Sequence, residues 1–251
     1  MKKETKKKIT RILMTKEGKQ VYVRDMTKDM HTLFGYVKAA ELKKKEGTQV
    51  VTNTGKKITL LKPGFIDLYK KIKRGAQIIP RKDMGLVIAE TGINGKSKVV
   101  DAGAGSGACC CMIANLVKEV TTYELREDFH NIVKQNIDFL GLKNVKLKNQ
   151  DIYEGIDEKN VDLVMLDLPE PWLVVKHAAK ALKAGGFLVS YSPTIPQVSD
   201  FVKEIEASDN FIFLRSIEII QREWEVDGRK IRPATRQGIG HSGFMTFTRK
   251  I

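Results

Sequence analysis

The pattern of apolar and polar positions divides the chain into two regions of different character. Between residues 9 and 61 the apolar residues fall in short runs, at 9–14, 20–23, 31–36, 48–51 and 58–61. Glu17-Gly18-Lys19, a Lys-rich segment around Lys44, and Asn53-Thr54-Gly55 separate them. Short β-prone runs between turn residues predict five strands in a small barrel or curled sheet. Pro63-Gly64 mark a boundary, and residues 65–73 read as a short basic helix or linker. Asp83 is placed to cap a helix through Thr91 that Gly92 stops. From residue 97 onward, β-branched runs alternate with helix-period segments. Strands are predicted at 97–102, 119–125, 145–151, 161–168, 186–192, 211–221 and 243–249, and helices at 105–117, 126–140, 171–183 and 195–208. Gly141 and the Gly185-Gly186 pair serve as helix stops.

Strands alternating with helices predict a doubly wound, mostly parallel α/β sheet of Rossmann-like type. Only the polar run 222–240 separates the last two strands, so the seventh strand is expected to run antiparallel. The predicted organisation is therefore a small basic β-rich domain at 1–64, a linker and helix at 65–96, and an α/β domain at 97–251. No internal repeat is visible.

Charge sharpens this division. Residues 1–75 hold 21 Lys and Arg against 7 Asp and Glu, whereas residues 76–251 hold 23 of each. The whole formal charge of +14 thus lies in the first third, as in a module that grips a polyanion such as RNA. Lys43 to Lys45 and Lys70 to Arg74 adjoin no large apolar face of the membrane-interfacial kind. There is no run of about 18 apolar residues and no signal-peptide pattern, so a soluble, cytoplasmic protein with no membrane association is expected. The three cysteines, Cys109 to Cys111, are consecutive and point about 100° apart on a helix; they form no tetrahedral metal site and read as core fillers.

The chemistry concentrates in 97–107, SKVVDAGAGSG, an apolar run that ends in an acid and then in alternating glycines. A strand entering such a loop brings a ligand to its carboxyl end, and Gly103, Gly105 and Gly107 let the backbone approach closely. Gly103, Gly105 and Ala108 also fit a dinucleotide fingerprint with Glu124 at the ribose-binding position, which keeps a nicotinamide-dependent oxidoreductase open. Asp101 before the glycines and the acids Glu124, Asp151 and Asp167 after later strands form an anionic rim. Such a rim suits S-adenosylmethionine, which carries a sulfonium and an amine but no phosphate. Glu124 is placed to accept ribose hydroxyls; Asp151 reads equally as an adenine contact or as a turn cap. Asp167 to Trp172, DLPEPW, sets an acid and two prolines just beyond an apolar strand, where a carboxylate needs a cationic or donating partner. Tyr191 is expected either to face the same cleft and stack on a base or to fill the core. A lone His241 is more often structural than catalytic.

RGAQII (74–79), DAGAGSG (101–107), DLPEPW (167–172), SYSPTIPQV (190–198), REWEV (222–226) and GHSGF (240–244) together resemble the TrmI-type tRNA (adenine-N1)-methyltransferases. The resemblance covers nearly the whole chain. It implies a class I methyltransferase fold, S-adenosylmethionine as methyl donor, transfer to adenosine N1 in the tRNA T loop at position 58 or also 57, and a homotetramer without metal. It further implies that Gln77, Gly103, Ala104, Gly105, Ser106 and Gly107 hold the cofactor with Glu124, Asp151 and Asp167, and that Asp167 and Tyr191 serve the reacting base. The family commonly has an aromatic residue or His where this chain has Pro80. Some relatives of the family are non-catalytic tRNA-binding subunits that have lost the glycine loop; here the glycines and Asp167 are intact.

Overall fold

A computed structural model describes residues 8–234 and 241–251. The start of the chain up to Lys7, together with Arg236 and Gly240, lies outside the described residues. The chain divides into two compact units after Ile72.

The first unit contains β1 (Arg11–Met14), β2 (Gln20–Val23), β3 (Met30–Thr32), β4 (Gly35–Val37), the one-turn helix α1 (Ala39–Leu42), β5 (Gln49–Val51), β6 (Lys57–Leu61) and α2 (Phe65–Tyr69). Four strands form an antiparallel sheet in the order β2-β1-β6-β5. Leu13, Val23, Val37, Leu42, Val50, Ile58 and Leu60 bury its core. The single strand expected at 31–36 is instead the separate hairpin β3–β4. Gly35, at φ +95°, folds the run back on itself, a conformation open to glycine and costly for most other residues. The one-turn helix α1 ends immediately before the Lys-rich segment read as a break, with Lys43 as its C-terminal cap residue.

In the second unit, α3 (Arg81–Thr91) leads to β7 (Lys98–Ala102), α4 (Ala108–Ala114), β8 (Glu119–Tyr123), α5 (Glu127–Leu140), β9 (Val145–Lys148), β10 (Val161–Leu166), α6 (Val175–Ala181), β11 (Leu182–Ser192), α7 (Ile195–Glu206) and β12 (Phe211–Ile217). A hairpin, β13 (Trp224–Asp227) and β14 (Lys230–Pro233), precedes β15 (Phe244–Lys250). The sheet runs β12-β15-β11-β10-β7-β8-β9. β7 to β11 pair in parallel, and β15 lies antiparallel between β11 and β12. This is the α/β, Rossmann-like architecture with an antiparallel last strand that the sequence predicts.

Apolar clusters cover both faces of the sheet, one from Cys109 to Cys111, Ile113, Val133 and Phe247, the other from Leu166, Val174, Ala178, Phe201 and Ile205. The three cysteines are buried and free, as core fillers.

Three local readings change. α3 begins two residues before Asp83, with Pro80 as its cap residue, so Asp83 is not the cap but a fully buried first-turn residue. α6 ends at Ala181, ahead of the Gly185-Gly186 pair, which sits inside β11; a Cβ at Gly186 would lie 3.0 Å from the Leu182 side chain and the Lys183 carbonyl, so a larger residue would have to push them aside. The polar run 222–240 contains β13 and β14, turned at Gly228 (φ +56°).

Candidate active site

The sequence 97–107 produces a strand, a left-handed turn and a helix start at the carboxyl edge of the sheet. Gly103, Gly105 and Gly107 all have positive φ. Gly103 is under the strictest demand: a Cβ there would fall 1.9 Å from the Asp167 carbonyl oxygen, so the glycine loop and the DLPEPW turn pack backbone to backbone. Asp167 N–H donates to the Ala102 carbonyl at 3.0 Å, closing the same contact.

Ser106 ties a second segment to the loop. Its hydroxyl accepts from the backbone N–H of Gly75 (2.9 Å) and Ala76 (3.3 Å). Asn136 of α5, almost fully buried, accepts from Lys73 N–H and donates to the Lys73 and Ser106 carbonyls, all at 2.7–2.8 Å. The RGAQ segment is thereby laid along the glycine loop, with Gln77 exposed.

The acids take distinct environments. Glu124, buried after β8, accepts from Gly105 N–H (2.7 Å) on one oxygen and Arg126 N–H (2.9 Å) on the other, so its carboxylate fixes the middle of the glycine loop and keeps lone pairs for a ligand. Asp151 caps the 3-10 turn Ile152–Glu154 through Oδ1 and Tyr153 N–H (2.9 Å); the cap alternative is realised. Asp101 is 1% exposed. Its Oδ2 accepts from Thr122 at 2.6 Å, whereas Oδ1 is buried with no partner. Burial raises its pKa above the ordinary 3.8. Asp167, partly buried, is pushed up to about 7 by desolvation and by the nearby Asp101 charge. Two neighbouring carboxylates at the carboxyl edge of the sheet, neither with an ion pair among the described residues, form a site short of positive charge, and the orphaned Asp101 oxygen is the kind of polar atom a bound group satisfies.

The Asp167 turn is braced from two sides. Tyr153 OH accepts from Glu170 N–H at 3.2 Å, and Gln197 of α7 donates to the Pro169 carbonyl at 3.0 Å.

Tyr191, at the end of β11, is 5% exposed. Its hydroxyl donates to the Ser242 carbonyl, and its ring fills the space a Cβ at Gly243 would occupy, 2.5 Å away. Burial and the Asp83 charge push its phenol up to about 12, so it stays neutral.

Sequence reasoning missed what lies behind Tyr191. Lys82 donates to Asp83 Oδ1 (2.7 Å), the Ile219 carbonyl (2.8 Å) and Ser242 Oγ (2.6 Å), and Ser242 Oγ donates to Asp83 Oδ2 (2.7 Å). The Lys82 and Asp83 side chains are 7% and 1% exposed. Beside them His241 reaches Glu218 through Nδ1 (2.5 Å) and the Pro193 carbonyl through Nε2 (2.9 Å). With an acceptor at each nitrogen the ring favours its doubly protonated form, and the Glu218 bond raises its pKa. The only sequence signals were RKD and GHSGF.

A doubly wound sheet with its last strand inserted antiparallel, carrying a glycine loop and an acidic rim at its carboxyl edge, defines a class I S-adenosylmethionine-dependent methyltransferase fold. A SAM-dependent O-methyltransferase structure from Thermotoga maritima superposes with a TM-score of 0.86 at 31% identity, covering 98% of this chain and 94% of that one. A tRNA (m1A58) methyltransferase TrmI structure from Aquifex aeolicus gives 0.81 at 24% identity, covering 96% of each. The chain belongs to the family described as tRNA methyltransferase complex GCD14 subunit, which matches residues 68–239. In sequence it is 33% identical to the tRNA (adenine(57)-N(1)/adenine(58)-N(1))-methyltransferase TrmI of Methanocaldococcus jannaschii, over 95% of this chain and 94% of the relative. It is 32% identical to the tRNA (adenine(58)-N(1))-methyltransferase TrmI of Thermus thermophilus, over 81% of each. Among the described residues no helix is long and apolar enough to cross a membrane, and no group of His, Cys, Asp and Glu could hold a metal.

Proposed function

We propose that this chain transfers a methyl group from S-adenosylmethionine to N1 of an adenosine in the T loop of tRNA, at position 58 or at 57 and 58. The observation that carries the reading is the pair Asp101 and Asp167, two neighbouring carboxylates with raised pKa values and no ion pair among the described residues, beside the glycine loop. The names of the relatives support the target base.

The residues fit the cofactor. The orphaned Asp101 oxygen suits an ammonium, directly or through water; Glu124 has lone pairs for ribose hydroxyls; the second Asp151 oxygen suits the adenine amine. Gly103 to Gly107 and Gln77 line the remainder. S-adenosylmethionine supplies an electrophilic methyl group on a sulfonium.

Asp167 then has a specific task. N1-methylated adenine is born cationic, with charge shared onto its exocyclic amine. Asp167, held by the backbone of the DLPEPW turn, accepts a hydrogen bond from that amine and stabilises the charge as it develops. A pKa near 7 also lets it take a proton from the methylated base at neutral pH. Tyr191, its ring buried in the core against Gly243 and its hydroxyl already bonded, acts from behind the site as a positioning residue. Orienting two bound reactants contributes roughly 7–11 kcal/mol to such reactions.

Assembly belongs to the same proposal. β12 is an edge strand with Ile212, Phe213 and Leu214 exposed, and Trp224, Val226 and Ile231 of the β13–β14 hairpin are exposed as well. An uncovered apolar edge suits burial against further copies of this chain, which supports a homotetramer. The setting is a soluble, cytoplasmic one.

The test is methyl transfer from labelled S-adenosylmethionine to an unmodified tRNA transcript, with nucleoside analysis and mapping. 1-Methyladenosine in the T loop is the expected product. A 2′-O-methylated nucleoside, or tRNA and cofactor binding without any methylated base, refutes the reading.

A further inference from the structure

The first unit holds most of the net positive charge, and His31, Phe34 and Tyr36 fall within six consecutive residues of it. The fold displays them together. The β3–β4 hairpin sets His31 opposite Tyr36 across the strands, with the rings tilted at 44° and their centroids 5.8 Å apart. At its tip, Phe34 lies under two cations, Lys19 Nζ at 5.6 Å and Lys56 Nζ at 6.0 Å from the ring centre. Next to it Leu33 is 96% exposed, the most exposed large apolar side chain among the described residues.

This tip is held in place. Phe34 N–H donates to Thr32 Oγ1 (2.9 Å), Thr32 Oγ1 donates to the Gly35 carbonyl (2.7 Å), Thr54 Oγ1 donates to the Phe34 carbonyl (2.6 Å), and Tyr36 N–H donates to Asn53 Oδ1 (2.7 Å). Four side-chain bonds for one short hairpin fix an apolar tip in water, although an exposed leucine gains nothing from being fixed in the free protein. β3 and β4 pair with no other strand, forming a sheet of their own. Rigid aromatics with lysines at their faces are how proteins bind unpaired nucleotides: bases stack on the rings while ammonium groups meet phosphates. The charge around the hairpin excludes a cationic partner. Residues 1–75 carry 21 basic against 7 acidic side chains, and of the two cations over Phe34 Lys56 alone has an ion pair among the described residues, with Glu17 at 2.7 Å.

We propose that the β3–β4 hairpin is a stacking platform for unpaired bases of an RNA loop, with Leu33 and Phe34 packing on one exposed base and His31 and Tyr36 on the next. The proposal rests on the tRNA reading above and assigns the part of the chain that holds the substrate's unpaired nucleotides, apart from the residues that react.

The experiment uses the full chain and an unmodified tRNA transcript, with affinity measured across a salt series. Leu33→Ala and His31→Ala remove exposed side chains; Lys19→Ala removes only charge. The stacking variants are expected to bind about 5-fold or more weakly at every salt concentration with the wild-type salt slope, while Lys19→Ala flattens the slope. Both stacking variants binding tRNA as the wild type does, or losing affinity only through a changed salt slope, overturns the platform. A Leu33→Ala change in sedimentation mass with unaltered tRNA affinity overturns it in favour of contact between copies. Methyl mapping on the same samples separates the two readings. Wild-type 1-methyladenosine formation with unaffected hairpin variants removes only the platform, whereas weakened hairpin variants with no 1-methyladenosine from the wild type remove only the assigned reaction.

Discussion

Replacing Asp167 with Asn should strengthen the fold at neutral pH while slowing the reaction. The Asp167 carboxyl is raised from 3.8 to about 7. An acid with a raised folded pKa holds its proton more tightly in the native state, so between about pH 4 and 7 the folded chain binds more protons than the unfolded chain. Stability then falls as pH rises through that window, is unaffected by this group below it, and has lost the full amount above it. Three units at about 1.4 kcal/mol each give roughly 4 kcal/mol; partial exposure of the carboxyl reduces this to about 2–4 kcal/mol. Asn carries no charge and escapes the penalty. In the absence of S-adenosylmethionine, Asp167→Asn should gain that amount on the wild type between pH 4.5 and 8, roughly 5–15 °C in Tm at about 2–4 °C per kcal/mol. Thermal unfolding of both proteins at the two pH values reads it directly. Turnover of tRNA should fall about 100- to 1,000-fold, the usual loss for one preorganised contact. A variant that is no more stable relative to wild type at pH 8 than at pH 4.5 would show that Asp167 is solvated and that the charge-deficient cleft is wrong.

Lys82→Met leaves Asp83 buried without its partner and should cost about 3–5 kcal/mol, seen as a lower denaturation midpoint; the double variant Lys82→Met, Asp83→Leu should recover part of it, and no recovery refutes a buried ion pair. Gly103→Ala forces a Cβ against the Asp167 carbonyl, so calorimetry should detect no S-adenosylmethionine binding even where circular dichroism shows a folded chain. The His241 imidazole should titrate above 6.5 by NMR, and Glu218→Gln should bring it back toward that value; an unchanged midpoint refutes the clamp.

The order of elements in the second unit was legible because each strand and helix buries a face with its own period, and Gly92 and Gly141 stop their helices as left-handed caps. The positions of the glycine loop, Glu124 and Asp167 were legible because each directly follows the end of a strand with a clear apolar run. What escaped was non-local. Lys82 and Asp83 look like an ordinary charged helix start until Ser242, far along the chain, covers them. The β13–β14 hairpin hides in a polar run because its apolar residues are exposed and leave no burial pattern. Helix α6 stops at Ala181 because Leu182 already belongs to the sheet beside Val161, and no breaker residue announces that.

The place of β15 has a bearing on how the protein is made. A strand from residues 244–250 lies between β11 and β12, hydrogen-bonded on both sides, so neither neighbour has its final partner until those residues leave the ribosome. At about 5–20 residues per second, the apolar edge of β11 waits several seconds after its own synthesis with Val189 and Tyr191 uncovered. Nascent chains stalled before residue 244 should therefore be the species that chaperones hold.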